Sequence, residues 1–120
     1  MKARILLVDD DRLLREVIGD FLVFNGYVVD MAENAEQALE KFGPDSYDLA
    51  LIDFVMPGMN GLELMKELMK KDPHLFCLIM TGYPTIDSAY KSMVDGASDY
   101  IIKPFQLSEL LAAIKQHLDK

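Results

Sequence analysis

The chain has 120 residues, 51% of them apolar, which is enough for one hydrophobic core and leaves no room for a second, so residues 1–120 are expected to form one domain. Asp and Glu outnumber Lys and Arg by 20 to 12, a formal net charge of -8, and a surface that repels polyanions excludes direct nucleic-acid binding. No apolar run approaches the roughly 18 residues of a membrane span, the start has no signal-peptide core, and Cys77 alone cannot form an internal disulfide, so a cytoplasmic protein without membrane contact is expected.

In chain order, the apolar run Ile5 to Val8 reads as a strand, and the helical period from Asp11 to Phe24 ends at Asn25-Gly26. A second strand, Tyr27 to Met31, precedes a helix from Ala35 to Phe42; Asn34 is placed to cap it, with Gln37 completing a capping box, and Gly43-Pro44 stops it. A third strand, Leu49 to Ile52, leads through a Gly-rich turn to a helix from Leu62 to Lys71, halted by Asp72-Pro73. The fourth strand, Leu75 to Met80, holds Cys77 among apolar neighbours and makes it a core thiol. A helix from Thr85 to Val94 ends before Gly96, and a strand from Tyr100 to Ile102 leads to the last helix, Leu107 to Leu118. Five short, mostly continuous apolar strands alternating with helices predict an α/β fold, a parallel doubly wound sheet covered on both faces.

In such sheets the ligand crevice lies beyond the carboxyl ends of the strands, where strand order reverses. Past the first strand stand Asp9, Asp10 and Asp11; past the third, Asp53; past the fourth, Thr81; past the fifth, Lys103 and Pro104. With strand order 2-1-3-4-5, the first and third strands are neighbours, and Asp9, Asp10 and Asp53 share one rim. Two carboxylates about 4 Å apart repel by about 4 kcal/mol at an effective dielectric near 20, so the cluster requires a cation that Lys103 alone cannot supply. Hard oxygen donors suit Mg2+, which retains open positions for phosphate oxygens. Asp53 can act as a nucleophile toward phosphorus, while Lys103 and Thr81 stabilise charge on the transferred oxygens.

Val8-Asp9-Asp10, the run from Asp53 through Met56-Pro57-Gly58-Met59-Asn60 to Gly61, Thr81-Gly82 and Lys103-Pro104-Phe105 closely resemble the receiver domain of bacterial two-component response regulators, over essentially the whole chain. The resemblance implies a flavodoxin-like fold and a signalling domain that catalyses only its own phosphorylation and dephosphorylation. It implies that Asp53 is the phosphoacceptor, charged by a sensor histidine kinase or phosphotransfer protein. Mg2+ would be bound by Asp10, Asp53 and the backbone carbonyl of Val55, with Asp9 holding a metal-bound water. Thr81 and Lys103 would bind phosphoryl oxygens, the Lys103-Pro104 bond would be cis, and Tyr100 would turn inward as Thr81 moves toward the phosphate. Output would then fall on the face of the fourth helix, fifth strand and fifth helix. There Tyr90, Lys91, Tyr100 and Gln106 would meet a downstream effector or, in a phosphorylation-linked homodimer, a second copy. Val55 and Tyr83, large and uncharged, occupy positions that tune phosphate loss in the family and imply slow hydrolysis.

Blander readings exist for each residue. Asp11 is better taken as a helix cap, and Thr81, Lys103 and Tyr100 singly are a turn hydroxyl, a surface charge and a strand aromatic; only their joint placement argues otherwise. An aspartyl-nucleophile phosphatase generally has a second Asp two positions after the first, where Val55 stands. A flavin or nucleotide module wants a Gly-rich phosphate loop where Asp9-Asp10-Asp11 would repel phosphate. A phosphorylation-independent pseudo-receiver should lack an essential position, and none is missing. His74, His117 and the scattered methionines carry no chemistry. The first helix has a wider apolar band than one buried stripe requires, so the part near Arg12 and Leu14 is a candidate dock for the kinase, with core packing as the alternative.

Overall fold

Five strands alternate with five helices in the computed structural model, which describes residues 2–44 and 46–118. The order is β1 (Arg4–Val8), α1 (Arg12–Phe24), β2 (Val28–Ala32), α2 (Ala35–Lys41), β3 (Leu49–Asp53), α3 (Gly61–Lys71), β4 (Phe76–Thr81), α4 (Ile86–Val94), β5 (Asp99–Ile102) and α5 (Leu107–Leu118). All four strand pairings are parallel, and the sheet order is β2-β1-β3-β4-β5, as expected. Met1, Asp119 and Lys120, the ends of the expected 1–120 domain, lie outside the described residues. Among the described residues no helix is long and apolar enough to cross a membrane.

Element ends move by a residue where apolarity and hydrogen bonding disagree. Tyr27 and Leu75 are buried but precede the first paired residues, so β2 and β4 start later and run further than the apolar pattern suggests. Asp11 and Thr85 are N-caps, their side chains accepting from the N–H groups of Leu14 and Ser88, and Phe42 is the C-cap of α2. The capping box expected at Asn34 forms only in half. Asn34 Oδ1 accepts from the Gln37 N–H at 2.8 Å, but Gln37 Oε1 accepts from the N–H of Glu33, one residue too early. Complete boxes stand at Asn60/Glu63 and Thr85/Ser88.

Period-two alternation divides the core into two layers. Ile5, Leu7, Leu49, Leu51, Leu78 and Met80 meet Ile18 and Leu22 of α1 and Leu110 and Ile114 of α5. On the other face Leu6, Val8, Ala50, Ile52, Cys77 and Ile79 meet Ala38 of α2 and Leu64, Met65 and Leu68 of α3. Each fully buried Leu or Ile contributes about 1.5–3 kcal/mol. Cys77 is enclosed in this layer, and burial, with the charge of Asp72 nearby, pushes its thiol up to about 12, as suits a core residue. The α4 helix is held more loosely: of its nine residues only Ser92 is buried.

Candidate functional site

The parallel register builds the rim one strand at a time. Val8 pairs with Ile52, so the next residues, Asp9 and Asp53, leave adjacent strands side by side. Met80 pairs with Asp53 and Thr81 with Ile102, which sets Lys103 one step further along the same rim. Alternation also chooses the face. Asp9, Asp53 and Lys103 follow the positions that pack toward α1 and α5, whereas Thr81 and Tyr100 follow those that pack toward α2 and α3.

The side chains converge accordingly. Lys103 Nζ donates to Asp9 Oδ2 at 2.8 Å and lies 3.3 Å from Asp53 Oδ1, joining two buried carboxylates. Asp10 is exposed, and carboxylate oxygens of Asp9, Asp10 and Asp53 all lie within 4.8 Å of one another. Burial, then the charge of Asp9, raises Asp53 to about 6 against the opposing pull of Lys103. Burial alone would lower the Lys103 ammonium, but the hydrogen bond and charge of Asp9, with Asp53 behind it, hold it above its ordinary value. Three oxygen donors with one ammonium leave the cluster short of positive charge, and a hard divalent cation such as Mg2+ fits that donor set.

The loops after each strand complete the setting. Gly61 opens α3 with its N–H on the carbonyl of Phe54 at 2.9 Å, and a β-carbon there would overlap the Asp53 carbonyl oxygen, so the β3–α3 loop closes only over glycine. Val55 is 48% exposed and Tyr83 78% exposed, both beyond the strand ends that carry Asp53 and Thr81. Thr81 is buried, and its hydroxyl accepts from the N–H of Tyr83 at 3.0 Å. The half-buried Tyr100 packs against the α2/α3 layer, its hydroxyl 2.8 Å from Ser88 Oγ at the start of α4. The Lys103-Pro104 bond is cis. Beside Lys103 lies a mainly apolar cleft of about 510 Å³, bordered by Leu14, Val17, Tyr83, Pro104, Phe105 and Leu107.

Asp9, Asp10, Asp53 and Lys103 are therefore assembled, while the hydroxyls of Thr81 and Tyr100 are engaged by Tyr83 and Ser88. Two participants were not singled out in the sequence: Ser88, the partner of Tyr100, and Arg15, whose guanidinium reaches the Asp9 carbonyl. Ser88 had a legible signal, since it stands at the third helical position after a Thr cap. Arg15 had none beyond its place one turn into α1.

Comparisons with known proteins bear on the sequence and the fold. The response regulator receiver domain family matches residues 5–115. Response regulator protein FleR of Pseudomonas aeruginosa is 39% identical over 117 residues, which make up 98% of this chain but 25% of FleR, so the chain spans a quarter of that relative's length. A CheY-like receiver domain protein of Methanospirillum hungatei JF-1 is 36% identical with a TM-score of 0.94, covering 99% of this chain and 95% of that one. Response regulator protein TrrA of Thermotoga maritima, solved in complex with Mg(2+)-BeF, is 40% identical with a TM-score of 0.86, covering 98% of this chain and all (100%) of that one. Sequence and fold thus agree, and the chain belongs to the response regulator receiver domain family, the signalling domains of two-component systems.

Proposed function

We propose that residues 1–120 act as a cytoplasmic phosphoacceptor switch, taking a phosphoryl group on Asp53 from a histidine kinase or phosphotransfer protein and passing the change to an effector. The observation that carries this reading is Lys103 Nζ bridging Asp9 and Asp53, with Asp10 beside them and net negative charge left over. Asp10, Asp53 and the Val55 carbonyl would hold Mg2+, with Asp9 orienting a water on it; the bound ion would supply charge stabilisation for the transferred oxygens.

In the transfer itself, a carboxylate oxygen of Asp53 forms the new bond to phosphorus as the phosphorus–nitrogen bond of the donor phosphohistidine breaks, and the electron pair leaves with the imidazole. Lys103 is already hydrogen-bonded in the site and turns to a phosphoryl oxygen without being recruited from solvent. The Thr81 hydroxyl leaves the Tyr83 N–H, from which it accepts, and donates to another phosphoryl oxygen, which vacates space on the face shared with Tyr100. Tyr100 then gives up Ser88 and moves inward, and α4, with one buried residue, is free to shift. Driving such a switch from 1:99 to 99:1 takes about 5.5 kcal/mol of differential interaction, within reach of a few charge-assisted hydrogen bonds. The α4–β5–α5 face, where Tyr90 is exposed, would contact the effector or a second copy of the chain. The only catalysis this reading assigns is of its own phosphorylation and dephosphorylation.

The test is intact mass after incubation with acetyl phosphate and Mg2+, for wild type and Asp53→Ala. One added phosphoryl group that needs Mg2+ and is lost in the variant is the expected result. An unmodified wild type, silent to beryllofluoride as well, would leave a phosphorylation-independent interaction module in place of this reading.

A further inference from the structure

The corner between β1 and α1 contains a contact that phosphoryl transfer does not use. Arg15, half-buried one turn into α1, donates from Nη1 to the backbone carbonyl of Asp9 at 2.6 Å, while its own N–H donates to the Asp11 carbonyl at 2.9 Å. Asp9 is fully buried; its Oδ1 accepts from the Asp11 N–H at 2.9 Å and its Oδ2 from Lys103 Nζ at 2.8 Å. Every oxygen of Asp9 therefore has a donor, one from the helix, one from the corner and one from the end of β5.

Asp10 is in the opposite situation. It is exposed, and among the described residues no cation and no N–H holds its carboxylate against Asp9 and Asp53. Its side chain shares a hydrogen bond with the Asp53 carboxyl, and the direction in which it leaves the chain is set by the backbone. The peptide joining Asp9 to Asp10 is planar, so fixing the Asp9 carbonyl fixes the plane from which the Asp10 side chain departs. The guanidinium also brings a permanent positive charge to the corner where three carboxylates gather, and burial cannot remove it by deprotonation.

We infer that Arg15 is a positioning residue, which presets the Asp10 carboxylate through the Asp9 carbonyl and thereby sets the affinity of the acidic cluster for a divalent cation. The inference rests on the receiver reading of that cluster. An outer contact that orients a metal-binding residue is worth about tenfold or more in metal affinity, whereas a merely structural corner would change stability and leave affinity alone.

The experiment is calorimetric titration with MgCl2 of wild type, Arg15→Met, Arg15→Lys and, as a destabilised control, Leu110→Ala from the α1/α5 layer, with thermal unfolding in EDTA alongside. Arg15→Met should weaken the Mg2+ Kd about tenfold, and Arg15→Lys, which keeps a charge and a donor, should recover part of the loss. Leu110→Ala should lower Tm without moving Kd. Labelling of Arg15→Met by acetyl phosphate should return to the wild-type rate once Mg2+ is saturating. An unchanged Kd in folded Arg15→Met overturns the inference; if that variant is unfolded, an unchanged Kd in Arg15→Gln does the same. A wild type that binds no Mg2+ overturns instead the receiver reading on which the inference depends.

Discussion

Replacing Asp53 by asparagine should stabilise the metal-free protein at neutral pH, although it removes the side chain on which the proposed function turns. Burial and the charge of Asp9 raise Asp53 from 3.8 to about 6 even with Lys103 3.3 Å away, so the ionised carboxylate costs more in the folded chain than the ammonium returns. At about 1.4 kcal/mol per pH unit, that gap corresponds to about 1–3 kcal/mol above pH 7. Because the folded-state value lies above the unfolded one, the folded protein binds the extra proton between about 4 and 6, and the stability it confers is lost as pH rises through 6. Asn has no such titration, so the advantage of Asp53→Asn should be largest above pH 7 and shrink as pH falls below 6. Urea unfolding in EDTA from pH 5 to pH 8 measures this directly, with equal m-values confirming that the folded and denatured states are comparable. If Asp53→Asn is no more stable than wild type at pH 8, or if its advantage grows toward pH 5, the electrostatic account of the site is wrong.

Gly61→Ala forces a β-carbon onto the Asp53 carbonyl, where only backbone could yield, and should cost about 1–3 kcal/mol and slow labelling by acetyl phosphate; unchanged stability by urea titration would refute the close approach. Val55→Ala and Tyr83→Ala touch exposed side chains and should change stability by less than about 0.5 kcal/mol, yet shorten the half-life of the phosphoryl-aspartate, followed by intact mass. An unaltered half-life in both removes the idea that they hinder the attacking water. Leu14→Arg places a charge in the apolar cleft beside Lys103 and should slow transfer from the kinase while leaving labelling by acetyl phosphate intact. Equal slowing of both would trace the effect to the fold of α1 instead of a docking surface.

Local chemistry made much of this protein legible in the chain itself. The alternation of apolar runs with helical periods, punctuated by Asn25-Gly26, Asp72-Pro73 and Gly96, is enough to read five parallel strand–helix units, because Gly and Pro act on backbone dihedrals whatever surrounds them. The residues after each strand could be named for the same reason, since parallel sheets place them at one rim. The tertiary structure decided what depends on the partner of a group. The Gln37 side chain accepts from the N–H of Glu33 and not from that of its cap Asn34, and β2 ends where β1 stops offering pairs. The engagement of Thr81 by Tyr83, of Tyr100 by Ser88 and of the Asp9 carbonyl by Arg15 belongs to the same class. A donor has several acceptors within reach of its own stretch of chain, and the choice among them depends on register and burial, which exist only once distant strands have paired.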